Sequence, residues 1–174
     1  ASAFYASGDP DPSDGTGRGF DTIVDLPFFA GGPFSYWNSQ KIRLLGVALT
    51  QKLSLVPSLR SSKTEGQASF VNPGLLLFNL GYDAELTPKI KAVLNANYIR
   101  FASTASLEEF TNQNGLANNV GLDYGLGIIY RPFLNNNAIF TFSATALTPL
   151  AGFKDLYESS KTQFAVFTSL VFTY

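Results

Sequence analysis

The sequence predicts an all-β fold in which antiparallel, up-and-down strands form a transmembrane β-barrel. Three observations predict it. Polar and apolar side chains alternate along segments of roughly ten residues, and the connections between segments are alternately short and long. The third observation is the composition: only 14% of the 174 residues are charged and 45% are hydrophobic, whereas about a quarter of a typical soluble domain is charged. No uninterrupted apolar run is long enough for a membrane-spanning helix, but a spanning strand carries a much weaker signal.

Alternation defines the two faces of each strand, because successive side chains in a strand point to opposite sides. In segment 75–86 the even positions are apolar or aromatic, whereas the odd positions include Asn79, Asp83 and Glu85. The same parity recurs downstream, and tyrosines near strand ends on the apolar face suit an aromatic girdle. Six strands are predicted, at about residues 2–8, 73–87, 89–102, 120–132, 138–149 and 163–174.

Two architectures share this alternation. A soluble β-sandwich or lipocalin-like barrel also alternates, with its apolar face inward. The membrane barrel is favoured because the connections at 87–89 and 132–137 are short, whereas 103–119 and 154–163 are long and polar. Small residues on the polar faces, such as Gly121, Gly125, Gly127 and Ser143, suit a crowded lumen as well as a solvent face.

Six strands are too few to close a bacterial outer-membrane barrel. Bacterial barrels have at least eight strands, and an open edge in lipid leaves backbone groups unpaired. Residues 1–174 are therefore predicted to be the C-terminal part of one larger outer-membrane barrel domain. The alternative is that residues 22–72 hold two more strands and close an eight-stranded barrel.

The first third of the chain is predicted to differ from the rest. Residues 8–72 form one long loop in this interpretation, either extracellular or inserted into the lumen, and a loop of this length usually has structure of its own. The part at 42–56 has apolar residues at near-helical spacing, which favours a short helix over an extra hairpin. The apolar stretch 26–56 would constrict the lumen or contact other envelope subunits.

Charged and amide side chains on the predicted polar faces are candidates for lining a pore, since they can select solutes by charge and size. They are Lys89, Lys91, Asn95, Asn97, Asp83, Glu85, Asp123 and Arg131. Asp9, Asp11 and Asp14 are candidate Ca²⁺ ligands in the 9–15 loop, because hard cations bind clustered carboxylates. Pro10 and Pro12 interrupt that spacing, so an acidic turn is favoured there and no cofactor is expected.

No catalytic arrangement is evident. The chain has no His and no Cys, which removes the commonest general base and the thiolate nucleophile. Glu108 and Glu109 are adjacent and would face opposite sides of a strand. The protein is predicted not to be an enzyme, and its net charge of −1 gives no reason to expect a nucleic-acid partner.

Two stretches resemble known families. Leu170, Phe172 and Tyr174 resemble the C-terminal strand signature of bacterial outer-membrane β-barrels, which implies recognition by the barrel-assembly machinery and contact with membrane lipids and lipopolysaccharide. The stretch YASGDPDPSDGTGRGFD at 5–21, together with LTPKIKAVLNANYIRF, resembles alginate-export-type porins. That resemblance implies a channel in the bacterial outer membrane for passive passage of small or anionic solutes, including oligo- or polysaccharide.

The 31–72 insertion departs from that family because it is unusually apolar. The alternative function is a structural barrel that anchors or sheathes a larger envelope or electron-transfer assembly.

Overall fold

A computed structural model describes residues 1–14, 16, 18–20, 30–40 and 73–173. Within them lies one six-stranded antiparallel sheet in which each strand pairs with its neighbours along the chain. The strands are β1 Ser2–Ala6, β2 Leu75–Thr87, β3 Ile90–Arg100, β4 Asn119–Tyr130, β5 Ala138–Pro149 and β6 Gln163–Phe172. The all-β, up-and-down prediction is confirmed and every predicted strand is present, but in the described residues the sheet is not closed.

Short helical segments accompany the sheet in the described residues. A 3-10 helix at Gly32–Phe34 precedes α1 (Tyr36–Gln40), and α2 (Ala105–Thr111) and α3 (Ala151–Tyr157) lie between strands. None of the helices in the described part of the chain has the length and hydropathy needed to span a membrane. The proposed helix at 42–56 and the proposed extra strands in 22–72 lie outside the described residues, apart from residues 30–40, which are not in a strand.

Both α2 and α3 lie wholly or mostly in stretches predicted to be loops. Each has seven residues, which is too short for helical periodicity to be recognised or for an isolated helix to be stable. Each ends at a residue with positive φ, Asn112 or Glu158, both at 52°. Each buries an apolar side chain, Leu107 or Phe153, so tertiary packing stabilises these helices.

The two ends of the sheet differ in their connections. Short turns join β2 to β3 and β4 to β5 at one end, called the short-turn end below. The connections that carry α2 and α3 lie at the other, the long-loop end. At the first turn, the Thr87 hydroxyl accepts hydrogen bonds from the N–H groups of Lys89 and Ile90, which stabilises the tight reversal predicted there.

The hydrophobic core lies at the long-loop end, against the odd-numbered face of the sheet. Leu75, Leu77, Ile99 and Leu147 are at most 1% exposed. They pack in one cluster with Leu107, Phe153 and other residues of the long loops, and with Trp37 of α1. The odd-numbered face is therefore apolar at this end, and its polar side chains begin only further along the strands.

This core makes the long-loop end sensitive to alkaline pH. Tyr157 packs against Phe153, with ring centroids 4.5 Å apart, and burial raises the pKa of the Tyr157 phenol above its usual value of about 10. The unfolded chain then loses this proton first as the pH rises. The contribution of Tyr157 to stability is therefore complete below about pH 10 and falls above it.

We expect Tyr157→Phe to retain more of its stability than the native chain as the pH rises from 9 to 11. Trp37 is the only tryptophan and lies in the same cluster, so urea unfolding followed by its fluorescence measures the effect. Tyr5→Phe is the control, because Tyr5 is 67% exposed on β1. Equal losses in all three proteins would contradict the prediction.

Candidate functional site

The two faces of the sheet differ in what covers them. The even-numbered residues of β2–β6 form the apolar face, and most of its large side chains are exposed, including Leu80 at 66% and Leu126 at 56%. The odd-numbered residues form the polar face: in its middle Asn97 and Asp123 are only 2% and 1% exposed, whereas the Asp83 side chain toward the short-turn end is 53% exposed. This is the reverse of a water-soluble sheet, in which apolar side chains are covered and polar ones are exposed.

A groove of about 530 Å³ crosses the apolar face. Small residues line it on β3 and β5, at Ala96, Ala144 and Ala146, and larger apolar residues such as Leu80 and Phe164 border it. Its lining presents almost no polar atoms, so its shape suits flexible hydrocarbon rather than a polar ligand.

The middle of the polar face is covered by residues 30–40, called the docked segment below. The Asn95 Nδ2 donates hydrogen bonds to the carbonyl oxygens of Ala30 at 3.0 Å and Phe34 at 3.3 Å. The Ser143 Oγ donates to the Pro33 carbonyl at 2.7 Å. Three backbone carbonyl groups of the segment are thus bound by side chains of two strands.

Asp123 binds the other half of the docked segment. Its carboxylate accepts hydrogen bonds from the Ser35 hydroxyl, from the Tyr36 N–H at 2.8 Å and from the Asn97 Nδ2 at 2.9 Å. The Ser35 hydroxyl in turn accepts a bond from the Asn38 N–H at 3.2 Å. The carboxylate therefore orients the start of α1, and Trp37 of this helix packs in the hydrophobic core.

The side chains of Asn79, Asn95, Asn97 and Asp123 form a continuous network, and Ser143 binds the same docked segment beside it. These five residues are called the polar belt below. The Asn79 Nδ2 donates to the side-chain oxygens of Asn95 and Asn97, each at 2.7 Å. The Asn97 Nδ2 also donates to the Ala30 carbonyl at 2.9 Å. Because these amide and carboxylate groups bind one another and the docked segment, they can be buried without the cost of unsatisfied polar atoms.

Glycines allow the docked segment to lie directly on the sheet. A Cβ atom on Gly125 would lie 2.2 Å from the Phe34 carbonyl oxygen, and one on Gly127 would lie 2.5 Å from the Phe34 ring. Gly31 has a φ of 107°, and a Cβ there would lie 2.3 Å from the Asn95 amide. The glycines of β4 that suggested a crowded lumen are thus positions where another part of the backbone comes close.

The predicted pore-lining residues fall into two groups. Asn95, Asn97 and Asp123 belong to the polar belt, in the middle of the strands. The others lie toward the short-turn end: Asp83, Glu85, Lys89, Lys91 and Arg131. There the Lys91 Nζ pairs with Asp83 at 2.6 Å, and Glu85 is opposite Lys91 in the strand register.

The predicted pore-lining set omitted Asn79, Ser143 and the individual residues of the docked segment, although the stretch 26–56 that contains this segment was predicted to constrict the lumen or to contact other subunits. Asn79 and Ser143 have the same strand parity as the predicted residues, and this parity was the available signal. The partners of the belt in residues 30–36 had no such signal, because Ser35 and Asp123 are 88 positions apart.

The acidic loop forms turns. The Asp9 carboxylate accepts hydrogen bonds from the N–H groups of Asp11 and Arg18, and the Asp11 carboxylate accepts one from Ser13. The N–H of Thr16, and secondly the Arg18 guanidinium, lower the pKa of the Asp14 carboxyl. No group of three or more His, Cys, Asp or Glu in the described ranges is arranged to hold a metal ion. Asp9, Asp11 and Asp14 thus bind the loop's own donors.

The terminal-strand residues project from the apolar face. Leu170 and Phe172 are 57% and 68% exposed, and Tyr174 lies outside the described residues.

Comparisons with protein-family models, with curated proteins and with solved structures found no match to this chain. The resemblances to outer-membrane barrels and to alginate-export-type porins therefore stay predictions, and the function is inferred from the geometry.

The belt gives a direct prediction about stability. Asn97→Ala is expected to cost about 1–3 kcal/mol of folding free energy, because the half-buried Asn79 amide, the buried Ala30 carbonyl and the buried Asp123 carboxylate each lose one hydrogen bond. Urea unfolding of detergent-solubilised protein, followed by Trp37 fluorescence, measures this cost. Asn135→Ala in the β4–β5 turn removes only an exposed bond to the Asn137 N–H and is expected to change stability by less than about 0.5 kcal/mol. Equal effects of the two substitutions would contradict the role given to the belt.

Proposed function

We propose that this chain is part of an outer-membrane β-barrel channel through which small polar solutes pass passively. In this proposal the polar face lines the lumen and the docked segment forms its constriction. The observation that carries the proposal is the reversed pattern of the sheet: the apolar face is exposed, whereas the polar belt is covered by the chain's own backbone.

The dimensions of the sheet support a membrane position. The five long strands have 10 to 13 residues, and a tilted strand needs about 9–11 to cross a bilayer. Tyr130 on the apolar face lies at the short-turn end, opposite Ile90, where an aromatic residue would meet the membrane interface. The hydrocarbon-lined groove on the same face would be filled by lipid chains. Closure of such a barrel requires strands beyond the six described here.

The polar face supports a passage for solutes. It carries amide, hydroxyl and carboxylate groups in the middle and charged groups toward one end, and lumen residues of this kind set what passes through a barrel. The docked segment narrows the lumen through hydrogen bonds that water or a polar solute can replace. The resemblance to alginate-export-type porins points to the same class of function.

The second candidate is a structural barrel that anchors or sheathes an envelope assembly. The exposed apolar face is the observation that favours it, since a large apolar surface also suits contact with other proteins. In that case the docked segment would occupy the interior of the barrel permanently.

Conductance separates the two candidates. The intact native polypeptide is purified in detergent, its membrane of origin is recorded, and it is reconstituted into planar bilayers. Stepwise conductance is expected for the channel. Outer-membrane protein that inserts and does not conduct would favour the structural barrel. Recovery of the folded protein in the soluble fraction without detergent would rule out both.

A further inference from the structure

We propose that the polar belt makes the constriction selective for neutral, hydroxyl-rich solutes and unfavourable for anions. This inference rests on the proposed channel and names the class of solute that its narrowest part accepts. It departs from the anionic solutes that the family resemblance implies.

The described polar belt contains no cationic side chain, and Asp123 is its only charged residue. Lys91 precedes Asn95 by four positions on β3, which is about 14 Å at the rise of an antiparallel strand. Lys91 is also paired with Asp83. An anion at the belt would therefore meet a carboxylate nearby, whereas Lys91 on the same strand is distant and already paired.

The present occupant of the belt shows which groups the belt can bind. Asn95, Asn97 and Ser143 donate to uncharged carbonyl oxygens of the docked segment, and Asp123 accepts from the Ser35 hydroxyl. A hydroxyl-rich solute offers the same groups, because each hydroxyl both donates and accepts. It can replace these contacts one by one as it passes. A carboxylate on a solute cannot replace the Ser35 hydroxyl, since it has no proton to donate to Asp123.

Burial strengthens the electrostatic effect of the Asp123 carboxylate. The residue is 1% exposed, so mobile ions screen its charge less than they screen the charges at the surface. The Tyr36 N–H and the Asn97 Nδ2 donate to its two oxygens, and an ionised carboxylate accepts at both. The charge therefore acts on a solute in the constriction even when the docked segment separates the two.

The test is solute flux into proteoliposomes that contain the intact native polypeptide. A neutral hexose and the corresponding hexuronic acid are compared at equal concentration and at pH 7, because they match in size and differ in one charge. We expect the hexose to enter about tenfold faster. Asp123→Asn should raise entry of the uronate towards the hexose rate. Glu109→Gln is the matched control, since it removes an exposed carboxylate on α2 and should leave the ratio unchanged.

The outcomes separate this inference from the proposed channel. Absence of flux for both solutes would overturn the channel itself. Uronate entry at or above the hexose rate in the native protein would overturn the selectivity and leave the channel in place. This comparison needs no variant, so it holds even if Asp123→Asn does not fold. An unchanged ratio in folded Asp123→Asn would overturn the role given to Asp123.

Discussion

Replacing Leu126 with arginine is expected to cost about 2–4 kcal/mol of folding free energy in a bilayer. Leu126 is 56% exposed on the apolar face, in the sheet interior between Leu94 of β3 and Ala144 of β5. An arginine at that depth would take its charge into hydrocarbon. In water, the same substitution at an exposed position would change the folding free energy by no more than roughly 0.5 kcal/mol. The measured cost therefore shows whether the apolar face contacts lipid or water.

Leu86→Arg is the matched control for this substitution. Leu86 is 63% exposed and lies near the end of β2, where an arginine near the interface is expected to cost about 0–1 kcal/mol. Both variants are unfolded from phospholipid vesicles with urea, and Trp37 fluorescence gives the free energies. Equal and small costs at the two positions would show that the apolar face is not in lipid, and would remove the main support for the proposed channel.

Gly125→Ala is expected to displace the docked segment and widen the passage. The new Cβ would lie 2.2 Å from the Phe34 carbonyl oxygen and 2.8 Å from the Thr145 methyl group, and the closer contact is with backbone of the docked segment, so the segment itself has to move. Trp37 is 1% exposed because the segment holds it in the core. Its emission should therefore shift to longer wavelength, acrylamide quenching should increase, and the single-channel conductance should rise.

Gly81→Ala serves as the control, because it adds the same methyl group on the same face. Its Cβ would lie no closer than 3.8 Å to the Leu94 carbonyl oxygen, which is an ordinary contact. Emission and conductance should match those of the native protein. A Gly125→Ala protein with native Trp37 emission would mean that the segment does not lie against β4 as described. A shifted emission without a rise in conductance would mean that the segment is not the constriction.

Much of the sheet could be predicted because its signals are local. Alternation in segments such as 75–86 defines a strand and its two faces, and a short turn such as Thr87–Lys89 allows only an antiparallel pairing of its flanking strands. Neighbouring strands of matching parity then place Asn95, Asn97 and Asp123 on one face. Helices α2 and α3 had no such signal, because each is stabilised by a buried side chain at the long-loop end rather than by its own periodicity.

The sequence alone determined the strands, their order and which residues share a face, since strand parity and short turns act between near neighbours. It left open whether the polar face meets water, lines a lumen or is covered. Only the tertiary structure decided that the middle of the polar face is covered by residues 30–40 and that the apolar face stays open. The physical reason is that the deciding contacts, from Asp123 to Ser35 and from Gly125 to Phe34, join residues about 90 positions apart. Local pattern carries no information about such pairs.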